Sequence, residues 1–371
     1  MTSSVFPYVP FLHAVSDCTG GNTKVQRKDY AAEGELPVID QGQEFIAGFT
    51  EKKNQYQGVL PLILFGDHTR IFKYVDFPFA LGADGVKALQ SQSGFDAKFL
   101  FYYFRFVELP NAGYSRHFKF LKEIRVPKPP LSEQRRIVDL LSRAEGIVRL
   151  RREAEKNAAE LIPALFVDMF GDPATNPKGW ATTAFGAFGN CRLGKMLDKQ
   201  KQNGDYQRPY LRNVNVQWDR IDTDDLLTMD FRPEEQGKFL VRSGDVLICE
   251  GGEIGRAAVW QEQVAECFYQ KALHKLTPNL SIVRPNFVVW LLWHLAHTGA
   301  LLGSSTHATI AHLTGVQLKG LNVICPPIEL QAEFENRVDA CHSVRSQQSA
   351  ATAKAKATFD ALLARVFSTT T

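Results

Sequence analysis

Short apolar runs, broken by polar and glycine-containing turns, fill residues 1–117, and a long pattern of helical period follows them. The same succession returns from residue 172 onward. Stretches 59–65, 70–75, 245–249 and 257–260 are short and apolar, and they predict strands. Two aromatic runs, FLFYYF at 99–104 and FVVWLLWHLA at 287–296, predict buried helices. The second is the longest apolar-looking run, and it falls short of the roughly 20 residues a membrane span needs.

An internal repeat organises this pattern. LKEIRVPKPPL at 121–131 recurs as LKGLNVICPPI at 318–328, and the correspondence runs without a gap through Phe170 and Phe367. Ala164, Leu165 and Phe166 answer to Ala361, Leu362 and Leu363, and Gln134 answers to Gln331. Each copy reads as a β-like run, a Pro-Pro break and a long helix. The prolines end the extended run because each fixes φ and lacks an amide donor. Ser132, Glu133 and Gln134 then read as a helix cap with acidic character in the first turn.

Apolar positions follow in steps of four and three: Ile137, Leu141, Ala144 and Val148, then Ala158, Ile162, Leu165 and Met169. Arg151 and Glu155 interrupt that seam. Phe334, Val338, Cys341, Ala355, Phe359, Leu362 and Val366 stand at matching points of the second copy, interrupted by Arg345, Gln348 and Thr352. A sustained period of about 3.5 residues predicts a coiled coil, kinked or broken at Pro163. The expected fold is mixed α/β: two globular domains alternate with two long helices that form an antiparallel coiled coil about a pseudo-twofold axis. The expected boundaries are a first globule at 1–124, a central helix at 125–171, a second globule at 172–321 and a C-terminal helix at 322–371. A helix of about 38 residues spans roughly 57 Å. Such a ruler with a reader at each end suits a target that is itself split in two, and duplex DNA is the obvious one.

Composition adds limits. A chain of 371 residues is too long for one small core, and 44% hydrophobic with 22% charged residues excludes a disordered or fibrous chain. The 43 basic and 40 acidic side chains nearly cancel, in each segment as in the whole, so charge neither demands nor excludes a nucleic-acid partner. The opening MTSSVFPYVPFLHAV lacks the basic region of a signal peptide. Cysteines at 18, 191, 249, 267, 325 and 341 form no CxxC pair, which reads as reduced, mostly buried thiols of a cytoplasmic protein.

The alternation of globule and long helix, with VPKPPLSEQRRIVDLLSRAE and its echo VICPPIELQAEFENRV, resembles the DNA-specificity subunit of type I restriction-modification systems. GKMLDKQKQNGDYQRPYLRNVNV at 194–216, GDVLICEGGEIGRAAVW at 244–260 and LILFGDHTRIFKYVDFPFALGADGVKAL at 62–89 look like that family's target-recognition domains. The resemblance covers essentially the whole chain. It implies a non-catalytic subunit that reads a bipartite double-stranded DNA site, one half-site per globule, and holds two adenine methyltransferase subunits on its helices. The motor-nuclease subunits join that core, and S-adenosylmethionine, ATP and magnesium belong to those partners.

The stretch 192–220 interleaves basic side chains with amides and aromatics, so Lys195, Lys199, Lys201, Arg212, Asn213 and Asn215 are the leading DNA-binding candidates. A solvated loop is the plainer alternative. The glycines of 251–256 predict a hairpin turn ending in Arg256. Residues 66–70, with His68 and Arg70, stand in the analogous place of the first globule, where Asp67 suits a turn that bonds its own backbone. Two turns ending in arginine suggest groove contact. Gly189 to Lys195 spells GxxxxGK, but Met196 replaces the magnesium-binding hydroxyl and no apolar strand leads in, so a nucleotide site is not expected. His294, His297, His307 and His312 read as core or rim histidines rather than zinc ligands.

The chain shows no (D/N)PP(Y/F) motif, no FxGxG-like loop, no GxSxG elbow and no HExxH. That points to binding rather than chemistry. The rival reading is a coiled-coil protein-interaction scaffold without sequence-specific DNA binding, which near-neutral charge keeps alive.

Overall fold

Val126 faces Val9 across a short antiparallel ladder, and Val323, its counterpart in the second copy, faces Thr183. In this computed structural model, which describes residues 6–368 except 84, 112, 114, 199–201 and 303–311, each repeated β-run thus closes onto the start of a globule. The chain divides into two compact units, one of residues 1–153 with 349–371 and one of residues 154–348.

The first unit is built on a four-stranded antiparallel sheet ordered Val15–Asp17, Val86–Ser91, Leu62–Gly66, Phe72–Val75. A second sheet pairs Leu36–Ile39 antiparallel to Gly48–Thr50 and parallel to Ala80–Gly82. The second unit repeats the first sheet in the order Gly189–Leu193, Leu273–Pro278, Val246–Cys249, Ala257–Val259. Its other sheet pairs Gln207–Leu211 antiparallel to Leu227–Asp230 and parallel to Phe268–Tyr269. The globules therefore share a four-stranded framework, of which the sequence displays the central hairpins but not the full strand order.

The aromatic runs are helices, Ala97–Phe106 and Pro285–His297. Asp96 caps the first by accepting the Lys98 and Phe99 amides. The first long helix runs Leu131–Ala159, breaks at Glu160 and resumes over Leu161–Phe170. Pro163 accounts for the break, since it has no N–H for the carbonyl four residues back. Asp360 occupies that place in the second copy, and the helix Ile328–Ser368 is continuous.

The predicted seam is buried in part: Ala144, Leu165, Cys341, Ala355, Leu362 and Val366 are half-buried, and the other apolar seam positions are buried. Ile137, Leu141 and Val148 share one core with Phe359, Leu363, Phe367 and the helix Ala97–Phe106 in the first unit. Ile162, Phe166, Met169 and Phe170 share another with Phe334, Val338 and the helix Pro285–His297 in the second. Each unit thus takes the first half of one helix copy and the second half of the other.

Ser132 lies inside the first turn rather than capping it, because the Glu133 and Gln134 amides already donate to Pro130 O at 2.9 and 3.0 Å. The Gln134 side chain turns away from the helix end: Oε1 accepts the Asp96 amide at 2.8 Å, and Nε2 donates to Gly94 O at 2.9 Å and Pro129 O at 2.8 Å. Gln331 repeats this with the Arg284 amide, Ile282 O and Pro326 O at 3.0, 3.1 and 2.8 Å.

All six cysteines are free thiols, and Cys191, Cys249 and Cys267 are buried. Burial pushes the Cys191 and Cys249 thiols up to about 11 and that of Cys267 to about 12. Among the described residues no helix is long and apolar enough to cross a membrane.

Candidate nucleic-acid interface

Strands Val246–Cys249 and Ala257–Val259 pair as a hairpin, as their spacing predicts. Gly252 and Gly255 take φ of +74° and +80°, which a side chain would disfavour. The Cys249 amide closes the turn onto Arg256 O at 2.8 Å, and in the first unit the Gly66 amide closes onto Ile71 O at 2.9 Å. The tips between those closures are 67–70 in the first unit and 250–255 in the second, so the second unit's tip is longer by two residues.

Both tips are pinned at the same two places. Glu250 donates to Ala272 O and accepts the Leu313 amide; Asp67 donates to Gly85 O and accepts the His117 amide. The Asp67 carboxylate does not bond its own turn. It is buried and accepts the Phe118 amide at 2.7 Å, which ties the tip to the short helix Phe118–Leu121.

Several candidates meet in one network behind the second tip. Asn213 Nδ2 donates to Gly251 O at 2.7 Å, and Arg256 returns a bond to Asn213 O at 2.9 Å. Arg212 grips the Asp225 carbonyl and carboxylate at 2.7 and 2.8 Å. Asn215 is only 3% exposed: its oxygen takes the Arg212 amide, and its nitrogen serves Asp222 O and Asp225 O. With both ends committed inside the protein, Asn215 shapes the loop rather than presenting an amide to a base. Arg256 also spends its guanidinium inward, and its side chain is 16% exposed. The expectation that Arg256 points from the turn into a groove gives way to a bracing role.

Lys195 stands in a separate cluster. Its ammonium donates to Asp230 O at 2.7 Å and Glu235 Oε2 at 2.6 Å and lies 5.2 Å from the Phe231 ring centre. Burial pushes the Glu235 carboxyl up, but the bonds from Lys195 and the Arg232 amide outweigh it, and the net pKa is lowered. Asp230 behaves alike: burial raises it, and bonds from Gly204, Gln207, Tyr206 and Asn203 bring it down. Lys199 and Lys201 lie outside the described residues. On the first tip, Arg70 adopts φ of 62° and donates to Leu109 O at 3.3 Å, while the His68 amide bonds Gln41 at 3.2 Å.

The first five residues of the GxxxxGK stretch, Gly189–Leu193, form a strand rather than a loop. Its second glycine, Gly194, lies so close to Gln270 O that a Cβ would sit 2.2 Å from it. His294 stacks on Phe166 at 4.7 Å and His297 on Trp293 at 3.8 Å. His307 lies outside the described residues.

Two features escaped the sequence. Asp219, at φ of 60°, accepts bonds from His342 at 2.7 Å and Arg345 at 3.1 Å, anchoring the 212–222 segment to the helix Ile328–Ser368. Glu253 projects from the hairpin tip, where Trp218 Nε1 donates to one carboxylate oxygen and Arg256 Nη1 approaches the other at 3.3 Å. A search for basic and amide residues gave no reason to notice an acid. Only the GGEIG turn marked its place.

Comparison with known proteins gives this geometry its context. No curated protein sequence matches the chain. An S subunit of a type I restriction-modification system from M. genitalium has a similar fold, with a TM-score of 0.53, 14% identity and 98% of this chain aligned to 96% of that one. A chain from a structure described as the basis of complex assembly and conformational transition of the type I R-M system aligns with a TM-score of 0.60, at 17% identity and 98% of each chain. The family model described as the type I restriction modification DNA specificity domain matches twice, over residues 12–161 and 177–340. Matched once in each half and over most of its length, the chain belongs to the family of DNA-specificity subunits of type I restriction-modification systems.

Proposed function

We propose that this specificity subunit reads a split double-stranded DNA site, one half-site per unit, and that its own contribution is binding alone. The observation that carries the reading is the repeated framework with unlike tips: the two main sheets share one strand order, while 67–70 and 250–255 differ in length and sequence. Shared scaffolds with variable loops suit two half-sites of different sequence.

In this reading the long helices pair antiparallel and fix the spacer between half-sites. They hold two adenine methyltransferase subunits, and the motor-nuclease subunits join that core. The exposed Leu140, Ile147 and Leu150 on the first long helix are the contacts we assign to a methyltransferase subunit. S-adenosylmethionine, ATP and magnesium serve those partners, and the assembly works in the cytoplasm.

The test is genome-wide adenine methylation in the source strain with and without this gene. One interrupted, two-part motif should lose methylation in the deletion. Unchanged methylation would overturn the reading and favour the scaffold. Because Lys and Arg on phosphate release counterions, affinity of the assembled complex should fall steeply with salt. Reversing charge at Lys199 and Lys201 together should weaken binding several-fold and flatten that slope. Identical titrations of the variant and the wild type would remove both residues from the interface.

A further inference from the structure

We infer that Glu253 is a specificity-determining residue that reads the exocyclic amino group of a cytosine in the major groove of one half-site. The inference rests on the DNA-reading role proposed above and goes further by naming a residue and a base.

The hairpin tip offers little else. Gly251 and Gly255 are buried, Gly252 has no side chain, Ile254 is half-buried, and Glu250 spends its backbone on Ala272 and Leu313. Two acids lie in the tip; Glu250 is half-buried, and Glu253 is the exposed one, with 48% of its side chain accessible. Its carboxylate is held before any ligand arrives, by the Trp218 indole on one oxygen and the Arg256 guanidinium on the other. Arg256 is itself held by Asn213 O, and Asn213 by Gly251 O. The network that consumes the basic candidates thus ends on an oriented acceptor.

Charge argues for a base rather than phosphate. A carboxylate repels phosphate, so an acid at the crest of a DNA-facing hairpin is useful only where it meets donors. Arg256 beside it offsets its charge on approach. A two-stranded ribbon fits the major groove, where cytosine N4 is a donor with no acceptor on the same base edge. Adenine also presents a donor, N6, but sets the N7 acceptor next to it, which a carboxylate cannot satisfy.

The experiment uses the complex assembled with its methyltransferase subunits, on a DNA library randomised across both half-sites, with methylated products sequenced. Wild type should yield a two-part motif with a fixed cytosine in one half. Glu253→Gln, which adds an amide donor matched to adenine N7, should move that position from cytosine towards adenine. Glu253→Ala should lose about 5- to 100-fold of the cytosine preference there, with the other half-site unchanged. Trp218→Phe, which removes the indole donor and keeps a ring, should relax the same position less. A motif unaltered by the Glu253 variants, or one weakened evenly at every position, would overturn the assignment while leaving DNA reading intact. A wild-type complex that yields no two-part motif would sink the underlying reading and this inference with it.

Discussion

Replacing Phe367 by alanine should lower the stability of the first unit by about 3–5 kcal/mol, the usual cost of emptying a buried aromatic site. Phe367 lies one residue from the end of its helix, where fraying is the ordinary expectation. Yet its ring is buried, with centroids at 5.7, 5.3 and 5.6 Å from Phe99, Tyr103 and Phe106. Phe170 is its counterpart in the other helix copy, and it packs on Phe287 and Phe334 in the second unit at 5.0 and 5.3 Å. The two substitutions should therefore separate. Amide hydrogen exchange should quicken across Ala97–Phe106 in Phe367→Ala and across Pro285–His297 in Phe170→Ala, each leaving the other helix protected. Equal loosening of both helices, or of neither, would contradict the exchange of helix halves between units. Phe367→Leu, which keeps most of the volume, should recover much of the loss.

That exchange of halves marks a limit of reading from sequence. Periodicity told which face of each long helix is buried, and Ile137, Leu141, Phe334 and Phe359 are buried as the spacing requires. It could not tell what covers them, because an apolar stripe satisfies any complementary surface. Leu363 and Phe367, outside the predicted seam, are buried as well, against the aromatic helix. The strands around both hairpin tips were legible from short apolar runs between turn residues.

The candidate site was less so, for a reason of chemistry. Lys195, Arg212 and Arg256 carry the residue types of a phosphate contact, but a long basic side chain can also turn inward onto backbone carbonyls elsewhere in the chain. These three do, on Asp230 O, Asp225 O and Asn213 O. Lys73 and Lys275 are buried and likewise serve carbonyls. Counting basic residues therefore overstates the cationic surface. Asp219 and Glu253 were invisible because their partners lie far along the chain, at His342 and at Trp218.

Gln134→Ala should cost about 3–4 kcal/mol, more than a polar-to-alanine change usually does, because Gln134 was read as part of a helix cap and is instead a clamp. It is 0% exposed and joins the 94–96 loop to the start of the long helix through one acceptor and two donors. Truncation strands the buried Pro129 carbonyl and leaves the half-buried Asp96 amide and Gly94 carbonyl without their partner, at about 1–3 kcal/mol each before water or relaxation recovers part. Asp96 is also the cap of Ala97–Phe106, so losing the clamp frees the start of that helix from the long one. Gln134→Glu separates shape from hydrogen bonding. It keeps the volume and the acceptor but turns both donors into acceptors facing carbonyls, so it should destabilise at least as much as alanine near neutral pH. Gln331 makes the same three bonds in the second unit and should behave alike. Denaturant unfolding of the alanine and glutamate variants at both positions, with Gln134→Met beside them, gives the answer. If Gln134→Glu unfolds at the wild-type midpoint, burial of the side chain rather than its bonds holds the junction, and the clamp is refuted. If both glutamate variants fail while Gln134→Met, close in volume and apolar, falls in between, the cost resides in the two unmet carbonyls.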